Sequence, residues 1–293
     1  AEGQQSMALG SETHAAGIYS LAMGKLSKAS GISSIAIGFN NEALDYAASI
    51  GYETYASGQY STSVGYRTTA SGASSFAAGN QTVASGGNSS SFGSYTRAGG
   101  DGSFSAGLQS EANGYASAAF GSLSLATGSY SFAAGLQSYA QGSWSVALGQ
   151  YCKATTWNTF AMGGGTIAKG YLSTAFGLMT KAKPFASFVI GQYNDSTCSI
   201  NGHTTWVSSD PLFIIGNGSG STATGNAFTV LKNGYTAIGH SAPTQMLDVN
   251  GNARFRTVGS GAYSSALAIT SDGTLTTSTS DVSMKKNIVP VSE

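Results

Sequence analysis

The sequence predicts an all-β fold, a parallel β-solenoid built from a 14-residue repeat. Glycine recurs at a fixed spacing, large apolar and small residues alternate between the glycines, and only 9% of the 293 residues are charged. Because an average globular domain has roughly 25% charged residues, this chain has too few charges for many solvated amphipathic helices. The hydrophobic fraction of 41% and its regular recurrence also exclude a disordered chain.

Two glycine series define the repeat. The first steps by 14 residues, apart from one step of 13, and comprises Gly10, Gly24, Gly38, Gly51, Gly65, Gly79, Gly93, Gly107, Gly121, Gly135, Gly149, Gly163, Gly177 and Gly191. The second lies half a period later and comprises Gly17, Gly31, Gly58, Gly72, Gly86, Gly100, Gly114, Gly128, Gly142 and Gly170, with Asp45, Thr156 and Pro184 as replacements. All of these residue types are tolerated in turns, so each repeat has two corners and two short strands. Stacking the coils about 4.8 Å apart gives a solenoid roughly 60 Å long.

The residues between the corners alternate with period two. The first strand has the pattern Ser, apolar, small, apolar, Gly, as in Ser20–Gly24, and the second strand ends in Ala in every repeat. The slot before that Ala varies and includes His14, Lys28, Glu42, Arg97, Glu111, Tyr139, Lys153 and Lys181. Because side chains alternate across a strand, the variable slot is predicted to face solvent and its small neighbours to face inward. A helix is excluded, since glycine every seven residues is costly there.

The first strand has two uncharged faces of different size. One holds large apolar pairs, such as Met7 with Leu9 and Phe188 with Ile190, and the other holds Ser and Ala. We expect the large face to fill the coil and to leave a Ser/Ala wall outside. A second chain could approach such a wall closely, which favours self-association; the alternative is a monomeric solenoid with the wall exposed.

The repeat resembles a known family. The unit S-Φ-A-Φ-G-x-x-S/T-x-A-x-G, where Φ is apolar, is similar to the head repeats of YadA-like trimeric autotransporter adhesins over residues 5–192. This resemblance implies a left-handed parallel β-roll, three chains around one axis, an extracellular location and attachment to host or matrix surfaces.

The pattern changes after Gly191. Hairpin-type dipeptides occur at Asn217-Gly218, Asn233-Gly234, Asn250-Gly251 and Asp272-Gly273, between strand-like runs at 212–215, 227–231, 246–249 and 266–269. The sequence therefore predicts a head β-roll over residues 1–192 and a smaller, β-rich neck or tip module over residues 193–280. The Gly/Ser/Thr stretch 216–225 is interpreted as a surface turn, because no helix follows it to complete a phosphate site.

The last residues carry a second resemblance. Ser280–Ile288 is similar to the opening of the intramolecular chaperone domain of phage tailspikes and endosialidases, although Ser283 stands where that family has Arg. The resemblance implies single-turnover cleavage between Ser280 and Asp281, with Ser280 as nucleophile and Lys285 as its base. Residues 281–293 would then be a remnant of that domain, too short to fold as a protease. The alternative is a short polar β-tail with no chemistry.

Few residues suggest other chemistry. His14, His203 and His240 lack metal-ligand spacing, no cofactor is predicted, and Cys152 and Cys198 do not make a disulfide framework. Cys152 replaces the Ser or Thr of its repeat and is predicted to point inward, and Trp144 is assigned to the apolar place of the strand pattern. The candidates for surface recognition are Trp157, Trp206 and Tyr139, because exposed aromatic rings can stack on sugars or mediate protein contacts; packing against a neighbouring coil is the alternative.

Three function classes follow. The leading one is a homotrimeric adhesive surface fibre that binds a cell-surface glycan or protein. The second is a receptor-binding tail fibre of a phage or a phage-like contractile injection system, and the third is a polysaccharide-degrading tailspike. The net charge of zero argues against a nucleic-acid partner, and no apolar run is long enough to insert into a membrane.

Overall fold

The computed structural model describes residues 1–196 and 203–254, together with the backbone of 266–269, 271 and 275–278. All regular structure in these ranges is β-strand. The chain divides into two compact units, Ala1–Gly251 and Asn252–Glu293. The predicted all-β class and parallel β-solenoid are confirmed.

Five-residue and two-residue strands alternate through the repeat region. The strands are β1 (Met7–Ser11), β2 (His14–Ala15), β3 (Leu21–Lys25), β4 (Lys28–Ala29), β5 (Ile35–Phe39), β6 (Glu42–Ala43), β7 (Ala48–Tyr52), β8 (Tyr55–Ala56), β9 (Thr62–Tyr66), β10 (Thr69–Ala70), β11 (Phe76–Asn80), β12 (Val83–Ala84), β13 (Ser90–Ser94), β14 (Arg97–Ala98), β15 (Phe104–Leu108), β16 (Glu111–Ala112), β17 (Ala118–Ser122), β18 (Leu125–Ala126), β19 (Phe132–Leu136), β20 (Tyr139–Ala140), β21 (Val146–Gln150), β22 (Lys153–Ala154), β23 (Phe160–Gly164), β24 (Ile167–Ala168), β25 (Thr174–Leu178), β26 (Lys181–Ala182) and β27 (Phe188–Gln192). Each five-residue strand pairs in parallel with the next one, so that Gly10 lies opposite Gly24. The two-residue strands form a second parallel sheet in the same way, with Ala15 opposite Ala29.

The 13-residue coil lies where the glycine step is short, and its second corner has lost one residue. Tyr46 has the left-handed φ of 57° that Ser33 has in the preceding coil, at 52°. The Asp45 carboxylate accepts the N–H of Ile32 at 3.0 Å, as Asp101 accepts the N–H of Gly87 at 2.8 Å. Asp45 therefore occupies the slot after the missing glycine, not the glycine slot to which the sequence spacing assigned it.

The interior of the coil is filled by small residues, which corrects the expectation that the large apolar face fills it. Ala119, between the outward side chains of β17, is fully buried, whereas its neighbour Phe120 is 37% exposed. The buried column comprises Ala22, Ala36, Ser49, Ser63, Ala77, Ser91, Ser105, Ala119, Ala133, Ala147, Ala161, Ala175 and Val189. The two sheets of one coil lie too close together to admit a larger side chain between them.

Buried hydroxyl groups satisfy the backbone inside the coil. The Ser138 hydroxyl donates to the carbonyl of Gly149 in the next coil at 2.8 Å, and the hydroxyls of Ser63 and Thr68 lie 2.7 Å apart. Cys152 takes a Ser position, is fully buried, and its Sγ lies 3.1 Å from the carbonyl oxygen of Gly163. The predicted inward orientation of Cys152 is confirmed. Hydroxyls such as that of Ser138 are partners for buried carbonyls, whereas others, such as those of Ser131 and Ser145, are buried without a hydrogen-bond partner in the structure.

The two glycine series are required for different reasons. Gly135, in the first series, has a φ of +123°, which only glycine adopts readily. Gly128, in the second series, has no such φ, but a Cβ there would lie 2.0 Å from the carbonyl oxygen of Gly142. The left-handed corner residue lies two positions after each glycine and is usually not glycine, as at Tyr130 with φ of 56°.

The sheet of long strands continues beyond the repeats. Strand β28 (Pro211–Asn217) pairs in parallel with β27, and β29 (Asn226–Leu231), β30 (Thr236–Ile238) and β31 (Leu247–Val249) follow in the same compact unit. The predicted turn at Asn233-Gly234 is confirmed between the antiparallel strands β29 and β30. In the second unit, β32 (Ala266–Ile269) and β33 (Leu275–Ser278) form an antiparallel pair. The predicted domain division at residue 192 coincides with this change of strand pattern and stays a prediction.

Candidate interaction surfaces

The outward side of the long strands is an apolar surface, which we call the long-strand face. It consists of two columns of side chains. The first column contains the residue three positions before each first-series glycine, and the second contains the residue directly before that glycine. The first column comprises Met7, Leu21, Ile35, Ala48, Thr62, Phe76, Ser90, Phe104, Ala118, Phe132, Val146, Phe160, Thr174 and Phe188. The second comprises Leu9, Met23, Ile37, Ile50, Val64, Ala78, Phe92, Ala106, Phe120, Ala134, Leu148, Met162, Phe176 and Ile190. None of these side chains is fully buried, and none is charged.

Phenylalanines form a ladder along this face. They alternate between the two columns from coil to coil at Phe76, Phe92, Phe104, Phe120 and Phe132, with neighbouring ring centroids 5.1 to 5.6 Å apart. A second run of rings continues from Phe160 through Phe176 to Phe188. A contiguous exposed apolar surface of this kind is typical of a protein interface.

Trp157 belongs to a second aromatic surface, at the second corner of four consecutive coils. Tyr115, Tyr130, Trp144 and Trp157 follow one another with centroids 5.4, 5.7 and 5.6 Å apart, and we call them the corner ladder. Each ring is half exposed. Trp157 lies at a corner, half exposed and packed against Trp144 of the neighbouring coil, so both alternatives given for it are partly met and its role in recognition stays a prediction. Trp144 lies at a left-handed corner position and not in the strand pattern.

Tyr139 lies elsewhere, beside a groove of about 640 Å³ at the first corner. The Lys153 ammonium lies 5.7 Å from the centroid of the Tyr139 ring, a cation–π contact. The groove opens at Gly164 and Gly165, which are the corner residues of their coil and carry no side chains. The variable slot that holds Tyr139, Lys153 and Lys181 faces outward, as predicted.

Trp206 lies in the segment between β27 and β28. Its ring is 56% exposed, and the Lys232 ammonium lies 5.0 Å from its centroid and 5.7 Å from that of Phe185. The structure therefore places Trp157, Tyr139 and Trp206 in three separate surroundings and does not assemble them into one site.

The charged residues form isolated contacts. His14 Nε2 lies 3.0 Å from Glu2 Oε1, and Arg67 Nε donates to Glu53 Oε2 at 2.6 Å. The hydrogen bond from His14 lowers the pKa of Glu2, and the hydrogen bond to Glu53 raises the pKa of Arg67. Both pairs are solvent-exposed, so they contribute little to stability.

No catalytic or metal centre is assembled in the ranges that the structure describes. Within them, no three His, Cys, Asp or Glu side chains form a group that could hold a metal ion. The same residues form no helix long and apolar enough to cross a membrane. Ser280, Asp281, Lys285 and Cys198 lie outside the described residues.

Comparison with known proteins identifies the repeat. The family profile of the YadA head domain repeat, which spans two copies, matches residues 1–27, 15–41, 45–68, 70–96 and 126–151. No curated protein matches the chain.

Proposed function

Since the chain carries YadA-like head repeats between residues 1 and 151, we propose that it forms a homotrimeric extracellular fibre that attaches to cell surfaces. YadA-like adhesins are surface-exposed homotrimers. The observation that supports the proposal for this chain is the long-strand face, which is uncharged and at least partly exposed along every coil.

Assembly would bury the phenylalanine ladder. Removing one such side chain from water contributes about 1.5 to 3 kcal/mol, and every coil contributes at least one member to the face. The short strands lie in the opposite sheet of the coil, so their outward side chains would stay accessible in the trimer. We assign attachment to these outer surfaces and to the corners, with Trp157, Tyr139 and Trp206 as contact residues.

A charge placed in the ladder tests this proposal. We expect Phe104→Lys combined with Phe120→Lys to convert a trimer into monomers, because three chains would bring six lysines into one apolar interface. Beads coated with this variant should attach to cells less strongly than beads coated with the original chain, because the three linked binding surfaces are lost. The matched control is Gln81→Lys with Gln109→Lys, two corner positions outside the face. The proposal is wrong if the unsubstituted chain is monomeric, or if the ladder variant assembles and attaches as the control does.

A second candidate function rests on the ending Ser280–Ile288, which resembles the start of a tailspike chaperone domain. This resemblance favours a receptor-binding tail fibre whose precursor cuts itself between Ser280 and Asp281, with Lys285 as the base. A longer form of the chain that carries a complete domain after Ser280 should yield two fragments by mass spectrometry, and Ser280→Ala should leave it intact. An uncut longer form that still assembles would reject this processing.

A further inference from the structure

The groove at Gly164 and Gly165 lies at a first corner where two consecutive glycines follow the first-series glycine. Thirteen of the fourteen coils carry at least one side chain on the two residues after the first-series glycine, and this coil alone has glycine at both positions. Gln150 and Tyr151 border these glycines on one side. On the other side the side chains of Leu178 and Met179 lean over them, and Met179 Sδ occupies the place that a Cβ of Gly165 would take. The column of first-corner side chains is therefore interrupted once, and a groove of about 640 Å³ lies there.

The groove is positively charged. Lys153 and Lys181 are outward residues of β22 and β26, on either side of Ile167 in β24. Their Cα atoms are about 10 Å apart, because two strand spacings separate them. Every lining residue is either neutral or one of these lysines, and none is acidic. The groove is thus complementary to a ligand with two or more negative charges.

The backbone around the groove is already hydrogen-bonded. The N–H of Gly165 donates to the carbonyl of Gln150, and the N–H of Met179 donates to the carbonyl of Gly164. The backbone N–H groups of Lys153 and Ile167 likewise donate to carbonyl oxygens of the following coils. A peptide could therefore not add a strand here, which is a common way for an extended peptide to be recognised.

Side chains alone must recognise the ligand. The rings of Tyr151 and Tyr193, the amide of Gln150 and the two ammonium groups are all available from the lining of the groove. Tyrosine rings offer an apolar face with a polar edge, which suits the apolar faces and hydroxyl groups of a sugar. Because the outward residues of the short strands lie in the sheet opposite the long-strand face, this wall of the groove stays accessible in the proposed trimer.

From these observations we infer that the groove binds an acidic oligosaccharide, with Lys153 and Lys181 pairing with carboxylate or sulfate groups on different sugars. This inference deepens the proposed function, on which it rests, by naming the class of surface ligand. Binding weakens as salt rises, because exposed ion pairs are screened.

The test measures binding to the full chain by calorimetry at low salt. The probes are a hyaluronan tetrasaccharide, which has carboxylates only, a chondroitin sulfate tetrasaccharide, neutral chitotetraose and a hexaglutamate peptide. We expect at least one acidic saccharide to bind more tightly than chitotetraose and hexaglutamate, and the two acidic probes distinguish carboxylate from sulfate recognition. Lys153→Gln with Lys181→Gln should weaken this binding about tenfold.

Two further variants distinguish binding in the groove from nonspecific attraction to positive charge. Lys28→Gln with Arg97→Gln removes two cations from the same outward column far from the groove and should leave binding unchanged. Gly165→Gln introduces the side chain that Gln137 and Gln109 carry at the equivalent left-handed corner. It must displace the Met179 side chain, whose Sδ occupies the place of the new Cβ, into the groove, and it should abolish binding with both lysines retained. Equal binding by the lysine variant and the original chain, or tighter binding of hexaglutamate or chitotetraose than of the acidic saccharides, overturns the inference.

The mass of each sample distinguishes failure of the site from failure of the proposed fibre. A trimer that binds no acidic saccharide overturns the site and leaves the fibre standing. A monomer that binds the saccharide in the groove supports the site and contradicts the fibre.

Discussion

The rings of Phe104 and Phe120 stack with centroids 5.1 Å apart, although they occupy different columns of the long-strand face. In the coils from Phe76 to Ala134, each strand pairs one phenylalanine with a small residue, so that Phe104 shares its strand with Ala106 and Phe120 shares its strand with Ala118. Because the large residue changes column between neighbouring coils, the rings cover the small residues and the face stays even. An even apolar face is suited to close packing with other chains.

The thin interior of the coil limits the size of the side chains that it can hold. Ala119→Leu should lower the free energy of unfolding by about 1 to 3 kcal/mol, because the fully buried site has no room for three more carbons. Ala73→Leu adds the same atoms at an exposed corner position, outside the long-strand face, where other coils carry Ile18 and Ile32, and it should change this free energy by no more than about 0.5 kcal/mol. Thermal unfolding at one protein concentration compares the two variants. Equal losses of stability for both variants would contradict the assignment of Ala119 to the interior of the coil.

The adjacent glycines Gly86 and Gly87 give a matched pair for the spacing of the coils. A Cβ at Gly86 would lie 2.0 Å from the carbonyl oxygen of Gly100, whereas a Cβ at Gly87 would meet nothing closer than 3.6 Å. We therefore expect Gly86→Ala to destabilise the chain by about 3 kcal/mol or more and Gly87→Ala to alter its stability by less than about 1 kcal/mol. Urea unfolding followed by circular dichroism measures both, and a harmless Gly86→Ala would show that the coils are spaced more widely.

The corner ladder should contribute to attachment and not to assembly. Trp144→Ala with Trp157→Ala removes two half-exposed rings, so we expect weaker attachment of protein-coated beads to cells and an unchanged mass. Tyr46→Ala with Tyr60→Ala is the matched control, because these rings stack 5.1 Å apart at the same corner of other coils. Equal attachment by both variants and the original chain would show that the corner ladder has no part in attachment.

The hydrogen bonds of the Asp248 side chain should make the stability of its segment depend on acid pH. Its carboxylate accepts the N–H and the hydroxyl of Thr244, both at 2.9 Å, and these bonds, with a smaller effect of His240, lower the pKa of Asp248 below its ordinary value of 3.8. Because the pKa is lower in the folded state, the stabilisation is fully present above the unfolded value and is lost as the pH falls through the folded one.

Hydrogen exchange of residues 236–249, corrected for intrinsic rates, measures this effect. At pH 5, Asp248→Asn should reduce protection relative to the original chain, and the difference should shrink as the pH falls below 3.8. If the difference in protection between the two chains is the same at pH 5 and below pH 3.8, the charge of Asp248 does not contribute to protection.

The periodicity of the glycines was sufficient to predict the corners, the parallel pairing and the outward slot that holds Tyr139. It could not predict which face of the long strand is buried, because Ala119 and Phe120 are both uncharged and hydropathy alone favours burying the larger one. The thickness of the coil decides this, and that thickness follows from backbone approaches such as the one at Gly128. The groove was also missed, although the consecutive glycines Gly164 and Gly165 at one corner were a signal for it. Trp144 was misplaced, although its position nine residues after Gly135 indicates the second corner.

Native mass spectrometry of the full chain in solution measures directly whether three copies assemble. A homotrimer whose long-strand faces are buried between the three copies gives one species of about 88.5 kDa, three times the 29.5 kDa of one chain. A species of 29.5 kDa at micromolar concentration would contradict it, since the exposed phenylalanine ladder would then have no partner chain.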